Sequence, residues 1–184
     1  PVEWRNDWPY LSGASEGNIP PDCFEIPGAK ASNRPIAERY EFGQLKRLPL
    51  ELQSLRVPID ESWCSLSKDR PLFLRLYGRD SPASRFDQSL LARRVRHLSF
   101  SVETELEFYP RSHLQFAGLM ARYDENSFYY LIVTRDDETD DLVLSYIETL
   151  RGDYSYIHRL ATLTRSPVKL KLESKECRLR FSFS

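Results

Sequence analysis

The serine at position 15 lies in a Gly-x-Ser-x-Gly pattern that runs from Gly13 to Gly17. In one class of hydrolases this pattern exposes a nucleophilic serine at a sharp turn between a strand and a helix. Here Pro20 and Pro21 follow within a few residues, and they are poor residues for the helix that the turn requires. No histidine and acid follow in an order that completes a triad, so we interpret Ser15 as a chance match.

Three glutamates at alternate positions suggest a second kind of chemistry. Glu103, Glu105 and Glu107 point to the same side of a predicted strand, and two carboxylates about 5–9.5 Å apart can hydrolyse a glycosidic bond. Residues 98–108 alternate strictly between apolar and polar, so the glutamates occupy a polar face without the apolar wall that raises the pKa of a catalytic acid. The sequence favours a solvated outer face over a catalytic site.

The run from Asp136 to Asp141 is rich in the oxygen ligands that Ca²⁺ prefers. It lacks the spacing of a known calcium-binding loop, so we predict a charged hairpin tip.

Metal and cofactor chemistry needs clustered ligands, which this sequence does not contain. The histidines and cysteines are all far apart: His97, His113, His158, Cys23, Cys64 and Cys177. Without a Cys-x-x-Cys pair or an H-x-H or H-E-x-x-H pattern, no transition-metal site is expected. We predict reduced thiols, hydrogen-bonded or solvent-facing histidines, no metal, no cofactor and no catalytic residue in this chain.

Basic and aromatic clusters are candidate binding surfaces. Arg93, Arg94 and Arg96, with Arg85 nearby, resemble ion-pair partners more than a nucleic-acid patch, because 26 basic and 27 acidic residues give a net charge of −1. The aromatic cluster comprises Tyr123, Phe128, Tyr129 and Tyr130. Since successive strand residues face opposite sides, one of its faces is a candidate for stacking on a sugar, and the alternative is a sandwich interior.

The composition is that of a globular domain. The 184 residues are 41% hydrophobic with 7 Gly and 12 Pro, and mean hydropathy is −0.51. No apolar run approaches the ~18 residues that span a bilayer, so a membrane is not an expected partner. A nucleic acid is not expected either, because the net charge is close to zero. Because the chain begins at Pro1 and has no signal peptide, we expect a fragment whose location is unknown, with the cytoplasm favoured for the parent.

Period-two alternation dominates from about residue 44. It predicts about ten strands, over 52–57, 72–77, 89–95, 98–108, 115–123, 128–135, 142–150, 154–161, 168–173 and 177–183. Turn signals separate several of them, and a helical turn or two is expected within 37–48. The pattern indicates an all-β fold, an antiparallel two-sheet β-sandwich of the concanavalin A-like jelly-roll type. Alternation continues to Ser184, so we expect the last strands to be missing.

Residues 1–40 contain too many prolines for a regular element, and we interpret them as a linker and the tail of a preceding domain. The sandwich is then 41–184. Trp4 and Trp8 are large aromatics that anchor such an arm onto another surface.

Several segments together resemble the C-terminal sandwich of family 43 glycoside hydrolases, the β-xylosidases and α-L-arabinofuranosidases. These segments are 55–58 (LRVP), 63–66 (WCSL), 70–71 (RP), 74–78 (LRLYG), 88–94 (QSLLARR), His97, 106–108 (LEF), 117–119 (AGL) and 128–134 (FYYLIVT). Residues 2–10 are similar to the end of the catalytic propeller in these enzymes. The sequence departs from the family at Leu72, where glycine is common, and at Val95, where glutamine is frequent.

The resemblance implies a catalytic five-bladed β-propeller upstream, with an Asp/Asp/Glu set and an inverting mechanism. None of those carboxylates falls in this chain, and the loop by which the sandwich helps close the pocket would follow Ser184. We therefore expect an accessory domain of a xylo-oligosaccharide hydrolase, inactive alone, whose partner is the propeller of the same polypeptide. The alternatives are a free carbohydrate-binding module for xylan or arabinoxylan, and an interaction domain that forms a homo-oligomer.

Overall fold

The computed structural model describes residues 2–11, 28, 38–66, 70–176 and 178–184. The chain divides into two compact units, Pro1–Tyr40 and Glu41–Ser184. Within the described residues the regular elements are strands, apart from one short 3-10 helix, Phe42–Gln44. That helix falls inside the segment expected to form a helical turn or two.

The first unit contains a β-hairpin, made of β1 (Val2–Arg5) and β2 (Trp8–Leu11). Asn6 and Asp7 connect the strands with φ of 52° and 61°, the left-handed values that a tight hairpin turn requires at both central residues. The expectation that prolines exclude any regular element before residue 40 is wrong for this stretch. Pro9 is accommodated because a strand paired on one side only has backbone N–H groups that need no ladder partner.

The second unit contains the other eleven described strands. Four are short: β3 (Leu52–Gln53), β4 (Cys64–Leu66), β5 (Leu74–Leu76) and β6 (Ala92–Arg93). The longer ones are β7 (Phe100–Leu106), β8 (Ala117–Asp124), β9 (Ser127–Arg135), β10 (Leu142–Leu150), β11 (Asp153–Thr162), β12 (Val168–Lys175) and β13 (Arg178–Phe183).

Two antiparallel sheets form the sandwich. One has the order β11-β10-β9-β8 and the other β13-β12-β7, while β3 pairs with β6 and β4 with β5. Tight turns join the strands of the larger sheet, including Arg151–Gly152 with φ of 52° and 92°. The predicted all-β sandwich with antiparallel strands is confirmed.

The facing sides of the two sheets meet in an inter-sheet core. Its fully buried members are Leu131 and Val133 of β9, Leu144 of β10, and Val168 and Leu170 of β12. They are adjacent because Leu144 lies directly opposite Val133 in the register of β9 and β10. The hydrophobic effect makes such a continuous apolar contact the dominant stabilising term of a sandwich.

The larger sheet is buried on its other side as well. Phe128 and Ile132 of β9 and Ile147 of β10 form a second buried cluster, against which Met120 and Tyr130 pack. Because successive residues of β9 face opposite sides, both of its faces lie in apolar surroundings. This explains why residues 128–134 are almost continuously apolar instead of alternating.

The outer face of the smaller sheet is charged. Lys171 of β12 lies opposite Glu103 of β7, and Lys169 lies opposite Glu105. On the other side of β12, Glu173 faces Arg180 of β13. Opposite charges in directly facing positions stabilise a sheet by roughly 0.2–1 kcal/mol a pair, so this face is suited to water.

In the second unit some predicted strands are shorter than the alternation suggested, and one strand was missed. The stretch 52–57 contributes only Leu52–Gln53, 89–95 only Ala92–Arg93, and β4 was not predicted. The side of the predicted strand 98–108 that was expected to be apolar is only partly covered, since Leu98, before β7, is 77% exposed and Val102 of β7 is 41% exposed. β7 is the end strand of the described sheet, and the apolar residues of its neighbour β12 are much more deeply buried in the inter-sheet core.

Leu170→Ala tests the inter-sheet core directly. The side chain is fully buried, so its truncation removes apolar contact and leaves a cavity, and we expect the free energy of unfolding to fall by about 2–5 kcal/mol. Urea denaturation measures the change, with exposed Leu98→Ala as the matched control at about 0.5 kcal/mol or less. Equal losses in the two variants would contradict this core assignment.

Gly118→Ala tests the close approach of β8 to β9. A Cβ at Gly118 would overlap the carbonyl oxygen of Leu131 and lie 2.9 Å from the Cα of Ile132. These are backbone atoms, so the strands must separate, and we expect a clear drop in Tm. Gly78→Ala, where a Cβ meets nothing within 4 Å, should leave Tm unchanged or slightly raised; an unchanged Tm for Gly118→Ala would refute the pairing.

Candidate functional site

Ser15, the candidate nucleophile, lies outside the described residues, as do Cys23 and Cys177. Cys64 is a buried free thiol, and burial raises its pKa to about 11. At neutral pH the thiol stays protonated, whereas the reactive form of cysteine is the thiolate.

The two glutamates of β7 and Glu107, which follows it, do not form a catalytic pair. Glu103 and Glu105 are exposed on the charged face, opposite lysines of β12. Glu107 forms an ion pair with Arg70. Each has a basic neighbour. None lies in an apolar recess, which is the environment that keeps a carboxyl group protonated as an acid.

A group of interacting polar side chains lies at the tip of the β9–β10 hairpin and on β11. We call Asp136, Thr139, Asp141, His158 and Arg159 the Asp136 cluster. One oxygen of Asp136 accepts the backbone N–H groups of Glu138 (2.9 Å) and Thr139 (3.2 Å). The other lies 2.9 Å from Nε2 of His158 and 2.7 Å from Nη2 of Arg159. The carboxylate thus ties the hairpin tip to β11.

A bulge in β11 brings two basic side chains to the same carboxylate. The register between β10 and β11 shifts between Leu144 and Tyr146, and Arg159 in the bulge has a φ of 51°. Its backbone N–H donates to Oγ of Ser145 at 3.3 Å. Left-handed backbone at a non-glycine residue costs free energy, which the ion pairs of the Arg159 guanidinium with Asp136 and Asp141 offset.

The electrostatics of the cluster favour ionised Asp136. The hydrogen bond from His158, the backbone N–H donors and the Arg159 charge together lower the pKa of Asp136 to about 2. A carboxyl group that is ionised at neutral pH cannot act as a general acid, and its oxygens are already occupied by donors. The structure contains the predicted charged hairpin tip, and it also shows that His158 and Arg159 of β11 contact this tip.

The remaining histidines lie apart from each other, whereas three of the arginines line one cavity. His113 pairs with Asp137, on the same hairpin tip, and His97 is exposed. Arg85 pairs with Glu125 at 3.3 Å. Arg93, Arg94 and Arg96 line an open cavity of about 400 Å³ with Leu50, Glu51 and Gln53.

The aromatic cluster predicted around residues 123–130 is divided between interior and surface. Phe128 is buried, and burial raises the pKa of the half-buried Tyr130. The second apolar cluster covers the face of Phe128 and Tyr130, so this face has no exposed rings for a sugar. Tyr129 lies on the other face and is partly buried. Tyr123 is 90% exposed but stands alone on β8, whereas Tyr154 and Tyr156 on β11 are 64% and 42% exposed. Sequence reasoning missed that pair, although their alternate spacing signalled a shared face.

The described part of the chain contains no group of three or more His, Cys, Asp and Glu residues arranged to hold a metal ion. Nor does it contain a helix that is long and apolar enough to cross a membrane.

Asp136→Asn tests the electrostatic role of the cluster. A carboxyl group whose folded pKa is lowered stabilises the fold above its unfolded pKa, and this stabilisation is lost as pH falls towards the folded value. We therefore expect the variant to be less stable than the wild type at pH 7, with the difference shrinking between pH 5 and pH 2. Urea denaturation across that range gives the answer, with exposed Asp153→Asn as control; a difference independent of pH would overturn the role.

Comparison with known proteins identifies the larger unit. Residues 39–184 match the family model described as the β-xylosidase C-terminal concanavalin A-like domain. The chain is 32% identical over 185 residues to a xylan 1,3-β-xylosidase of Vibrio sp., covering 100% of this chain and 33% of that protein. It is 36% identical over 136 residues to a β-xylosidase of Bacillus subtilis (strain 168), covering 73% and 25% of the respective chains.

A solved structure gives the same result for the fold. The crystal structure of xylan β-1,4-xylosidase from Bacillus halodurans C-125 matches with a TM-score of 0.80 and 33% identity, over 100% of this chain and 35% of that one. The chain thus spans about a quarter to a third of the length of the relatives it matches. These matches confirm the resemblance seen in the sequence: the chain belongs to the family of C-terminal concanavalin A-like domains of the family 43 β-xylosidases.

Proposed function

We propose that this chain is the accessory domain of a larger glycosidase that hydrolyses β-xylosides, with the catalytic groups in another part of the same polypeptide. The match of residues 39–184 to the β-xylosidase C-terminal domain carries the proposal. The named relatives are xylosidases, and each is about three times as long as this chain. Xylo-oligosaccharides are accordingly the proposed substrate of the parent.

The geometry of the described residues supports a catalytic centre located elsewhere. Inverting and retaining glycosidases need two carboxyl groups about 5–9.5 Å apart, one of them protonated. Asp136 is ionised and held by donors, and Glu103 and Glu105 face lysines on an exposed sheet. Neither arrangement provides an acid beside a base in a cleft.

We further propose that the domain supports the catalytic part and helps to close its active site, and that residues 1–40 are the linker and the tail of that catalytic propeller. The β1–β2 hairpin supports this division. Trp4 and Trp8 are 71% and 66% exposed in it, and an isolated two-stranded hairpin is marginally stable in water. Burial of the two indoles against the upstream propeller would add apolar contact to this hairpin.

Hydrolysis of an aryl β-D-xyloside tests the proposal. We expect turnover by the full-length parent and none by the purified 184-residue chain. Circular dichroism with a cooperative thermal transition serves as the folding control for the chain. Appreciable turnover by the folded chain would place the catalytic groups inside it and refute the proposal.

A parent that ends at residue 40, and so lacks the sandwich, tests the supporting role. Loss of hydrolysis or of thermal stability in this truncated parent is the expected outcome. If the truncated parent kept full activity and stability, the domain would have no supporting role, and a free carbohydrate-binding module would become the better interpretation.

A further inference from the structure

We infer that Tyr154, Tyr156 and His158 of β11 form a surface site on which a chain of neutral sugar rings stacks. We call these three residues the β11 ring row. The choice of a xylan-type chain as ligand rests on the proposed function, whereas the stacking geometry does not.

The ring row follows from strand geometry. Residues 154, 156 and 158 are alternate positions of one strand and share a face, as their partners Thr149 and Ile147 on β10 do for the first two. Alternate residues lie about 6.8 Å apart, so the row is about 14 Å long. A linear ligand with repeated flat units matches this shape better than a compact one.

The rings are accessible. Tyr154 is 64% exposed and Tyr156 is 42% exposed, and the side chain of His158 is 49% exposed. β11 is the end strand of its sheet within the described residues. In contrast, the neighbouring positions on the same face of the sheet, Ile147 and Thr149, are buried, so the row forms an uncovered margin beside a covered surface.

The row is also fixed in place by polar contacts. Oη of Tyr156 lies 3.3 Å from Nδ1 of His158, and the two rings are 5.9 Å apart at their centroids. Nε2 of His158 lies 2.9 Å from the buried carboxylate of Asp136. Rings oriented before the ligand arrives lose less side-chain entropy on binding.

The chemistry of the row suits a carbohydrate ligand. Each of the three positions holds an aromatic ring, whose face is apolar, together with a polar atom at the edge of the ring. A pyranose has the complementary pair of features, with C–H groups on its face and hydroxyls around its rim.

The test uses the full-length parent labelled with 3-fluorotyrosine and a thio-linked xylohexaose that the enzyme cannot hydrolyse. Fluorine NMR resonances of Tyr154 and Tyr156, assigned with the Tyr→Phe variants, should shift saturably during the titration. We expect Tyr154→Ala and Tyr156→Ala each to weaken this binding about ten-fold, as truncation of a dominant contact residue does. Tyr154→Phe should retain binding because it keeps the ring.

Tyr123→Ala is the matched control, since Tyr123 is the more exposed ring at 90% but lacks aromatic neighbours at alternate positions. It should leave the affinity unchanged. Hydrolysis of the aryl xyloside, measured in the same variants, should stay at the wild-type rate, so that failure of the ring row and failure of the proposed function are distinguishable. The absence of any shift at Tyr154 and Tyr156 would overturn the inference, as would equal weakening by Tyr123→Ala. A change of elution volume in Tyr154→Ala without sugar binding would identify a protein contact instead and would also overturn it.

Discussion

The contact between β12 and the pair β9–β10 is the constraint on which the rest of the domain depends. Leu170 is completely excluded from water, and Val168, Val133 and Leu144 are almost so. Because a sheet with one apolar face cannot remain folded alone, neither half of the sandwich is independent of this contact. The charged outer face of the smaller sheet and the hairpin tips take their positions from it.

The ends of the larger sheet are organised by polar contacts instead. Asp136 links the β9–β10 hairpin to the bulge of β11, and Glu125 in the β8–β9 turn receives Arg56 and Arg85 from the segment before β7. A carboxylate removed from water must be matched by donors. At Asp136 two backbone N–H groups, an imidazole and a guanidinium supply that match, and the same contacts hold His158 in the β11 ring row.

The sequence predicts the fold well where the pattern is local. The bounds of β10 were predicted without error, because the polar residues of one turn end just before Leu142 and those of the next turn begin at Arg151. The hairpin of β1 and β2 was missed because prolines hid the Asn6–Asp7 turn signal. Exposure of Val102 and Leu98 could not be predicted, since it depends on how far the opposite sheet extends. Likewise, the contact between Asp136 and His158 depends on the bulge in β11, which no local sequence pattern predicts.

We propose that this chain provides a scaffold and that bond cleavage occurs in another part of the parent polypeptide. A crystal structure of the full-length parent with a bound xyloside would decide this. We expect the glycosidic oxygen to lie between carboxyl groups outside residues 1–184, with none of the carboxylates of residues 41–184 touching it. A glycosidic oxygen within hydrogen-bond distance of Asp136, Glu105 or another acid of this chain would show that cleavage occurs in this chain instead.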